Sequence, residues 1–197
     1  LANRTMSAES IFFYMMVTGL ILAPVAWAMT DFSKPINWGG DGPARDRFYG
    51  FQKQTGALVW ASTPGVTPND SSFSTGVLAM HNGAPAFYTT TGCGHYVALN
   101  PLNGKPLWRW AGAKGGINSS AIIVDGKLIS VHDKENHDNT ETGRLAALTI
   151  PDKALPPGPP EDPVPFVDAK AEAWRQPYTA ETSSPTFADG AEPLGPG

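Results

Sequence analysis

The fold is decided by residues 96–110, which read YVALNPLNGKPLWRW. An earlier stretch, 50–60, reads GFQKQTGALVW and matches it when the two are set 48 residues apart. In both copies an apolar run leads into a turn that ends in glycine, and a second apolar run carries a tryptophan. Each copy therefore predicts two antiparallel strands joined by a tight turn, with glycine in a conformation closed to other residues. The residues that define the pattern are Gly56, Trp60, Gly104 and Trp108.

A third copy is split in two. Residues 143–148 read GRLAAL and match 94–99 at a spacing of 49 residues. The half that carries the tryptophan, Trp174, lies further along the chain, at 171–175. We expect these two stretches to belong to one unit, separated by an insertion.

A second recurring element is a hairpin turn between apolar runs. Asn82-Gly83 and Asp125-Gly126 are each flanked by two such runs, and Asp189-Gly190 follows one. Asn-Gly and Asp-Gly favour type I′ turns, in which both central residues have positive φ. One unit then has four short strands, and units repeating every 40 to 50 residues or so are typical of β-propeller blades. The predicted strands are 75–81, 84–90, 95–99 and 105–110, then 119–124, 127–132, 144–149 and 171–175.

The stretches 96–110 and 124–128 resemble the tryptophan-docking repeats of pyrroloquinoline-quinone-type β-propellers. That family includes quinoprotein alcohol dehydrogenases and the propeller lipoprotein of the bacterial outer-membrane protein assembly machinery. The resemblance covers about 44–150 and returns at 171–190. It implies an all-β part made of four-stranded antiparallel units, in which each tryptophan packs between adjacent blades.

The sequence departs from the family in two ways. The dehydrogenases close six to eight blades, whereas this chain has two whole units, a leading half unit at 48–61 and a trailing fragment at 183–190. We therefore expect an incomplete propeller-like array with open strand edges, which invite partners or need cover. The enzymes also hold their quinone beside adjacent cysteines, and this chain has one cysteine, Cys93. We therefore assign none of the family's catalytic, cofactor-binding or metal-ligating residues to this chain, and no cofactor is predicted.

Composition narrows the range of functions. Lys+Arg 14 against Asp+Glu 18 gives a net charge of −4, and no basic cluster is present, which argues against nucleic acid as a partner. The single Cys93 excludes an intrachain disulfide and a cysteine-rich zinc site. Gly 21 and Pro 19 favour turns and short strands over long helices.

An apolar segment precedes the repeats. Residues 10–30 read SIFFYMMVTGLILAPVAWAMT, without a charged side chain. As a helix, Ile11 to Met29 would span roughly 28 Å, which matches the hydrocarbon core of a bilayer. Ala26-Trp27-Ala28 fits the cleavage site of a secretory signal peptide equally well, so the residues leave both interpretations open. Our working prediction is one transmembrane helix over 10–30, with the lipid bilayer as a partner.

Two arguments on membrane orientation disagree. Arg4 precedes the segment, whereas Lys34, Arg45, Arg47 and Lys53 follow it, which favours a cytoplasmic C-terminal part. The family resemblance implies the opposite. The expected localisation is the bacterial inner membrane, single-pass, with a periplasmic C-terminal part.

Three groups of residues are candidates for chemistry. The loop 132–141 carries two histidines and four carboxylates but lacks calcium-loop spacing, so a solvated or partner-contacting loop is expected rather than a metal site. Cys93 and His95 share a strand face in this interpretation, yet lack a third orienting group, which favours a packed cysteine over a nucleophile. The tryptophans are expected to pack between blades, except Trp110, which is expected to face outward.

The predicted organisation is an array of segments with one Pro-rich insertion. Residues 156–160 read PPGPP, which is extended and favours a semi-rigid spacer over a peptide ligand. The segments are an N-terminal flank (1–9), the membrane helix (10–30), a linker (31–43), the propeller-like repeats (44–150), the Pro-rich insertion (151–170), a partial blade (171–190) and a tail (191–197).

These features predict a non-catalytic, membrane-anchored scaffold or accessory subunit of a multi-subunit membrane complex, such as an electron-transfer or photosynthetic assembly. Its partners would be the other subunits. Two alternatives stay open. One is a portion of a membrane-bound quinoprotein dehydrogenase, and the other is a periplasmic propeller-type protein-interaction module for outer-membrane protein assembly.

Overall fold

A computed structural model describes residues 11–13 and 46–188 of the chain. Eleven β-strands and one short 3-10 helix, Ala169–Ala171, lie within these residues. The strands are β1 (Ile11–Phe13), β2 (Phe48–Gln52), β3 (Leu58–Ser62), β4 (Val77–His81), β5 (Ala84–Thr90), β6 (His95–Leu99), β7 (Pro106–Ala111), β8 (Ile122–Val124), β9 (Lys127–His132), β10 (Arg144–Thr149) and β11 (Glu172–Gln176).

The strands form three antiparallel sheets. The second sheet has the order β4-β5-β6-β7 and the third the order β11-β10-β9-β8, so both are four-stranded meanders. The first sheet has the order β1-β2-β3. The expectation of an all-β part built from four-stranded antiparallel units is confirmed, and the strands begin and end close to the predicted positions.

The strand β1 differs from the sequence prediction. Ile11–Phe13 belong to the segment predicted as a membrane helix, and here they pair antiparallel with Gly50–Gln52 of β2. Isoleucine and phenylalanine favour strands, and this pairing covers an edge of β2 that would otherwise be open. The rest of the predicted membrane helix lies outside the described residues, as do 1–9, the linker 31–43, Asp189-Gly190 and 191–197. No helix in the described ranges is long and apolar enough to cross a bilayer.

One register recurs in all three sheets. Each tryptophan of the repeat lies directly opposite a small residue of the neighbouring strand, and the register shifts immediately afterwards by a β-bulge. A small side chain leaves room for the indole to lie flat on its own sheet. The pairs are Gly50 with Trp60, Ala98 with Trp108 and Ala147 with Trp174.

The turns contain the positive φ angles that their sequences require. Asn82 and Gly83 have φ of 50° and 76°, and Asp125 and Gly126 have φ of 47° and 70°. Both dipeptides connect adjacent strands of a hairpin, β4 to β5 and β8 to β9.

The core lies between the sheets. One cluster joins Phe48 and Trp60 of the first sheet to Val97 and Leu99 of the second. A larger cluster joins the second sheet to the third, through residues such as Tyr96, Trp108, Leu128 and Leu148. Successive sheets thus pack face to face in chain order, as the blades of a propeller do.

The Pro-rich insertion runs along the outer edge of the second sheet. The N–H of Arg109 donates to the Pro165 carbonyl at 2.9 Å, and the N–H of Val167 donates to the Arg109 carbonyl at 2.9 Å. Proline has no N–H, but its carbonyl accepts, so 165–167 pair with β7 as a parallel bridge. The insertion therefore covers a strand edge as well as connecting β10 to β11.

Candidate functional site

The contact between the first and second sheets centres on Trp60. Its indole is buried, and its Nε1 donates a 3.0 Å hydrogen bond to the carbonyl of Pro101 in the β6–β7 turn. The ring covers Gly104 of the same turn so closely that a Cβ at Gly104 would lie within 3.0 Å of it. Gly104 thus has two roles. It adopts the positive φ of 70° in the turn, and its lack of a side chain leaves space for the indole of Trp60.

Trp108 occupies the equivalent place on the second sheet and is buried in the core shared with the third. The expectation that Trp110 faces outward is wrong. Trp110 is buried and meets Tyr96 edge to face, with ring centroids 5.1 Å apart. Residues two apart on a strand share a face, so Trp110 points towards the third sheet as Trp108 does.

Trp174 occupies the same place on the third sheet but is 38% exposed, against 8% for Trp60 and 4% for Trp108. The opposite face of this sheet is buried against the second sheet. The face that carries Trp174 has no further sheet on it within the described residues. Val131 on this face is buried, but most of its large apolar side chains are half-buried or exposed, among them Ile122, Ile129, Leu145 and Trp174. We call this set the rear face.

The first sheet has a complementary open face. Tyr49 and Phe51 stand 48 residues before Val97 and Leu99, which are fully buried against Phe48 and Trp60. In the first sheet the two rings stack on each other, with centroids 6.2 Å apart, and remain half-buried. The neighbouring Leu58 and Val59 are 52% and 39% exposed.

The β2–β3 turn completes this open face. A Cβ added at Gly56 would meet no described atom within 4 Å, although Gly56 has the same φ of 70° as Gly104. Among the described residues, no atom therefore occupies over Gly56 the place that Trp60 fills over Gly104. We call Tyr49, Phe51, Leu58, Val59 and the turn at Gly56 the front face.

The Pro-rich insertion is held by a buried cation. The Arg109 guanidinium makes a two-pronged ion pair with Asp162, of which the Nη1–Oδ1 distance is 2.9 Å. The Phe166 ring packs over the same guanidinium at 5.7 Å and meets His95 edge to face. Burial, together with the positive charge of Arg109, lowers the pKa of His95 to about 4, so this imidazole is neutral at pH 7.

The surroundings of Cys93 are those of a buried, packed thiol. Cys93 lies in the β5–β6 turn, where its Sγ contacts the Thr91 hydroxyl at 3.0 Å. Its backbone N–H donates to Asp46 at 3.2 Å. Burial raises the pKa of the Cys93 thiol, which disfavours the reactive thiolate. The packed-cysteine interpretation agrees with this environment.

Ion pairs connect the loop 132–141 to two strands of the third sheet. Asp138 pairs with Arg144 of β10 and with Arg175 of β11, the latter at 2.6 Å. Burial alone would raise the pKa of Asp138, but the hydrogen bond and charge of Arg144, together with the charge of Arg175, outweigh it and hold the pKa below its ordinary value. Among the described residues, no group of His, Cys, Asp and Glu side chains is arranged to hold a metal ion.

Sequence reasoning singled out the turn and tryptophan residues but missed the small residues opposite the tryptophans. Gly50 and Ala98 were visible in the aligned repeats as small residues at one position, which is the signal that would have found them. Asp162 carries no such signal, because its partner Arg109 is 53 residues away in the chain.

Comparisons with known proteins add one structural likeness. No protein-family model matches this chain, and no curated protein matches it significantly. Among solved structures, BamB from Moraxella catarrhalis is similar to part of the chain, with 19% sequence identity and a TM-score of 0.37. The match covers 53% of this chain and 31% of BamB. The assignment of a propeller-like fold therefore rests on the three sheets themselves.

Proposed function

We propose that this protein is a non-catalytic scaffold that binds other polypeptides through the two terminal faces of its incomplete propeller-like array. One observation carries the proposal. Trp174 stands where Trp60 and Trp108 are buried by a following sheet, yet it is exposed. A tryptophan surrounded by other apolar side chains is typical of an interface anchor.

The energetics favour completion of both faces by a partner. Complete burial of a fully exposed large apolar side chain stabilises a complex by about 1.5 to 3 kcal/mol before the cost of association is counted, and a side chain that is already half-buried contributes proportionately less. The front and rear faces together offer several such side chains, whereas the facing surfaces inside the molecule are already buried. A partner that repeats the internal packing would bury them in the same way.

The proposal includes membrane attachment through the part of the apolar segment 10–30 that follows β1, as an accessory subunit of a membrane complex. Its support is the uncharged apolar sequence. Because Ile11–Phe13 pair with β2, the apolar residues left for a span are Tyr14 to Met29, roughly 24 Å as a helix. A helix of this length is shorter than the hydrocarbon core of about 30 Å, so it would require local thinning of the bilayer.

The test asks whether other polypeptides co-purify with the full chain. The tagged chain is extracted from bacterial membranes in mild detergent, and its assembly mass is measured by light scattering. We expect a complex that Trp174→Ala weakens and that Tyr178→Ala, at another exposed aromatic of the same region, leaves intact. A monodisperse, cooperatively melting monomer without companions would contradict the proposal.

A further inference from the structure

We propose that the partner at both terminal faces is a second copy of this chain, with Trp174 of one copy packed over Gly56 of the other. This inference rests on the proposed function and names its partner. It follows from the match between the front face and the rear face, which are the two halves of a contact already present inside the molecule.

The internal contact provides the template. Trp60 lies over Gly104 in the β6–β7 turn of the second sheet. Trp174 has the same register as Trp60, opposite a small residue and beside a bulge. The rear face therefore presents its tryptophan as the first sheet presents Trp60.

The β2–β3 turn reproduces the turn that receives Trp60. Gln52 donates to the Ala57 carbonyl and accepts from the Gly56 N–H, both at 2.8 Å. In the β6–β7 turn, Asn100 makes the equivalent bonds to Lys105 and Gly104, at 2.8 and 2.9 Å. The two turns share these two hydrogen bonds and the same glycine φ of 70°. They differ in that described atoms cover Gly104 and leave Gly56 open.

The apolar side chains beside the two turns also correspond. Val97 and Leu99 flank the docked Trp60, and Tyr49 and Phe51 occupy the same positions in the first sheet. In a second copy, the rear face would cover Tyr49 and Phe51 as the first sheet covers Val97 and Leu99. The front face thus offers both the open glycine and the apolar surface that a docked tryptophan needs.

The sheets of the described residues are compatible with a closed pair. The described residues of two copies together supply six sheets, and propellers typically have about four to eight blades. The contact is head to tail, since the two faces differ, and such contacts form rings when the rotation closes. A two-fold ring contains two identical contacts, each between Trp174 of one copy and Gly56 of the other.

The experiment measures the mass and dissociation constant of the purified full chain in detergent by sedimentation. We expect a dimer for the wild type and at least tenfold weaker association for Trp174→Ala. Gly56→Asn should weaken it similarly, since asparagine tolerates positive φ but fills the docking space. The matched controls are Tyr178→Ala and Gly126→Asn. Gly126 has the same φ of 70° and is equally open.

Mixing the two weakened variants tests the head-to-tail geometry. A pair made of one Trp174→Ala copy and one Gly56→Asn copy keeps one intact contact, so the mixture should associate more tightly than either variant alone. A copy that carries both Trp174→Ala and Gly56→Asn should not restore association when it is mixed with either single variant. A monomeric wild type, or a dimer indifferent to both substitutions, would overturn the inference. If the chain is monomeric alone but keeps other companions that depend on Trp174, the inference fails while the proposed function stands.

Discussion

The indole of Trp60 lies over Gly104, and its Nε1 donates to the carbonyl of Pro101 three residues before that glycine. One side chain thus joins two sheets by apolar contact and by a hydrogen bond to a turn. The contact requires a residue without Cβ at position 104. The packing between the two sheets therefore depends directly on the sequence of this turn.

Substituting Gly104 by alanine will lower the free energy of unfolding by at least about 2 kcal/mol, because the new Cβ collides with Trp60 and because φ is positive. The control is Gly126→Ala, which has the same φ and open space around it and should cost about 1 kcal/mol. Urea unfolding of both variants measures the difference. Equal losses would show that Trp60 does not press on Gly104.

Much of this fold could be predicted because the sequence repeats. The turn glycines and the tryptophans mark each pair of strands, and Asn82-Gly83 and Asp125-Gly126 mark the hairpins between them. The strand β1 could not be predicted in this way. Its three residues lie in an uncharged apolar run, and such a run favours a membrane helix unless a distant strand such as β2 provides hydrogen-bond partners.

Removing the carboxylate of Asp162 will detach the Pro-rich insertion and lower the free energy of unfolding by about 3 kcal/mol, since Arg109 is left as a buried unpaired charge. Asp162→Ala should also speed proteolysis within 151–166, measured by mass spectrometry. The control, Glu161→Ala, changes an exposed neighbouring carboxylate and should have little effect. An unchanged cleavage rate in Asp162→Ala would contradict this role.

Stability will fall as the pH drops from about 6.5 to about 4. The folded state holds the pKa of His95 at about 4, so in this window the unfolded chain binds a proton that the folded chain does not. The loss from His95 reaches about 3 kcal/mol at the acid end. Burial lowers the pKa of His132 as well, which adds to the same slope.

His95→Gln should flatten this pH dependence, whereas His137→Gln, which removes only a lesser repulsion on His95, should leave most of it in place. The measurement is urea unfolding at several pH values between 4 and 7. A slope that His95→Gln leaves intact would mean that His95 is protonated in the folded protein.

The thiol of Cys93 will react slowly with a thiol-specific disulfide reagent in the native protein and rapidly after unfolding. Burial removes it from solvent and raises its pKa, so little thiolate is present at pH 8. The rate of reaction is followed by absorbance with and without urea. Fast, stoichiometric reaction of the native protein would restore Cys93 as a candidate nucleophile.

The candidate site could be predicted only in part. The sequence marks Trp174 as a repeat tryptophan, but its exposure depends on what packs on the third sheet, which no local pattern encodes. The misassigned Trp110 shows the same limit. Its position two residues past Trp108 fixes its face, yet whether that face is buried depends on Tyr96 and on the third sheet.

The most direct test of the account places a photo-crosslinking phenylalanine derivative at position 174 in the full chain. Copies labelled with heavy nitrogen are mixed with unlabelled copies before irradiation, so that mass spectrometry separates links between copies from links within one. The account predicts links between copies that map to the turn ending at Gly56. Links confined to a single copy, or to peptides away from that turn, would contradict it.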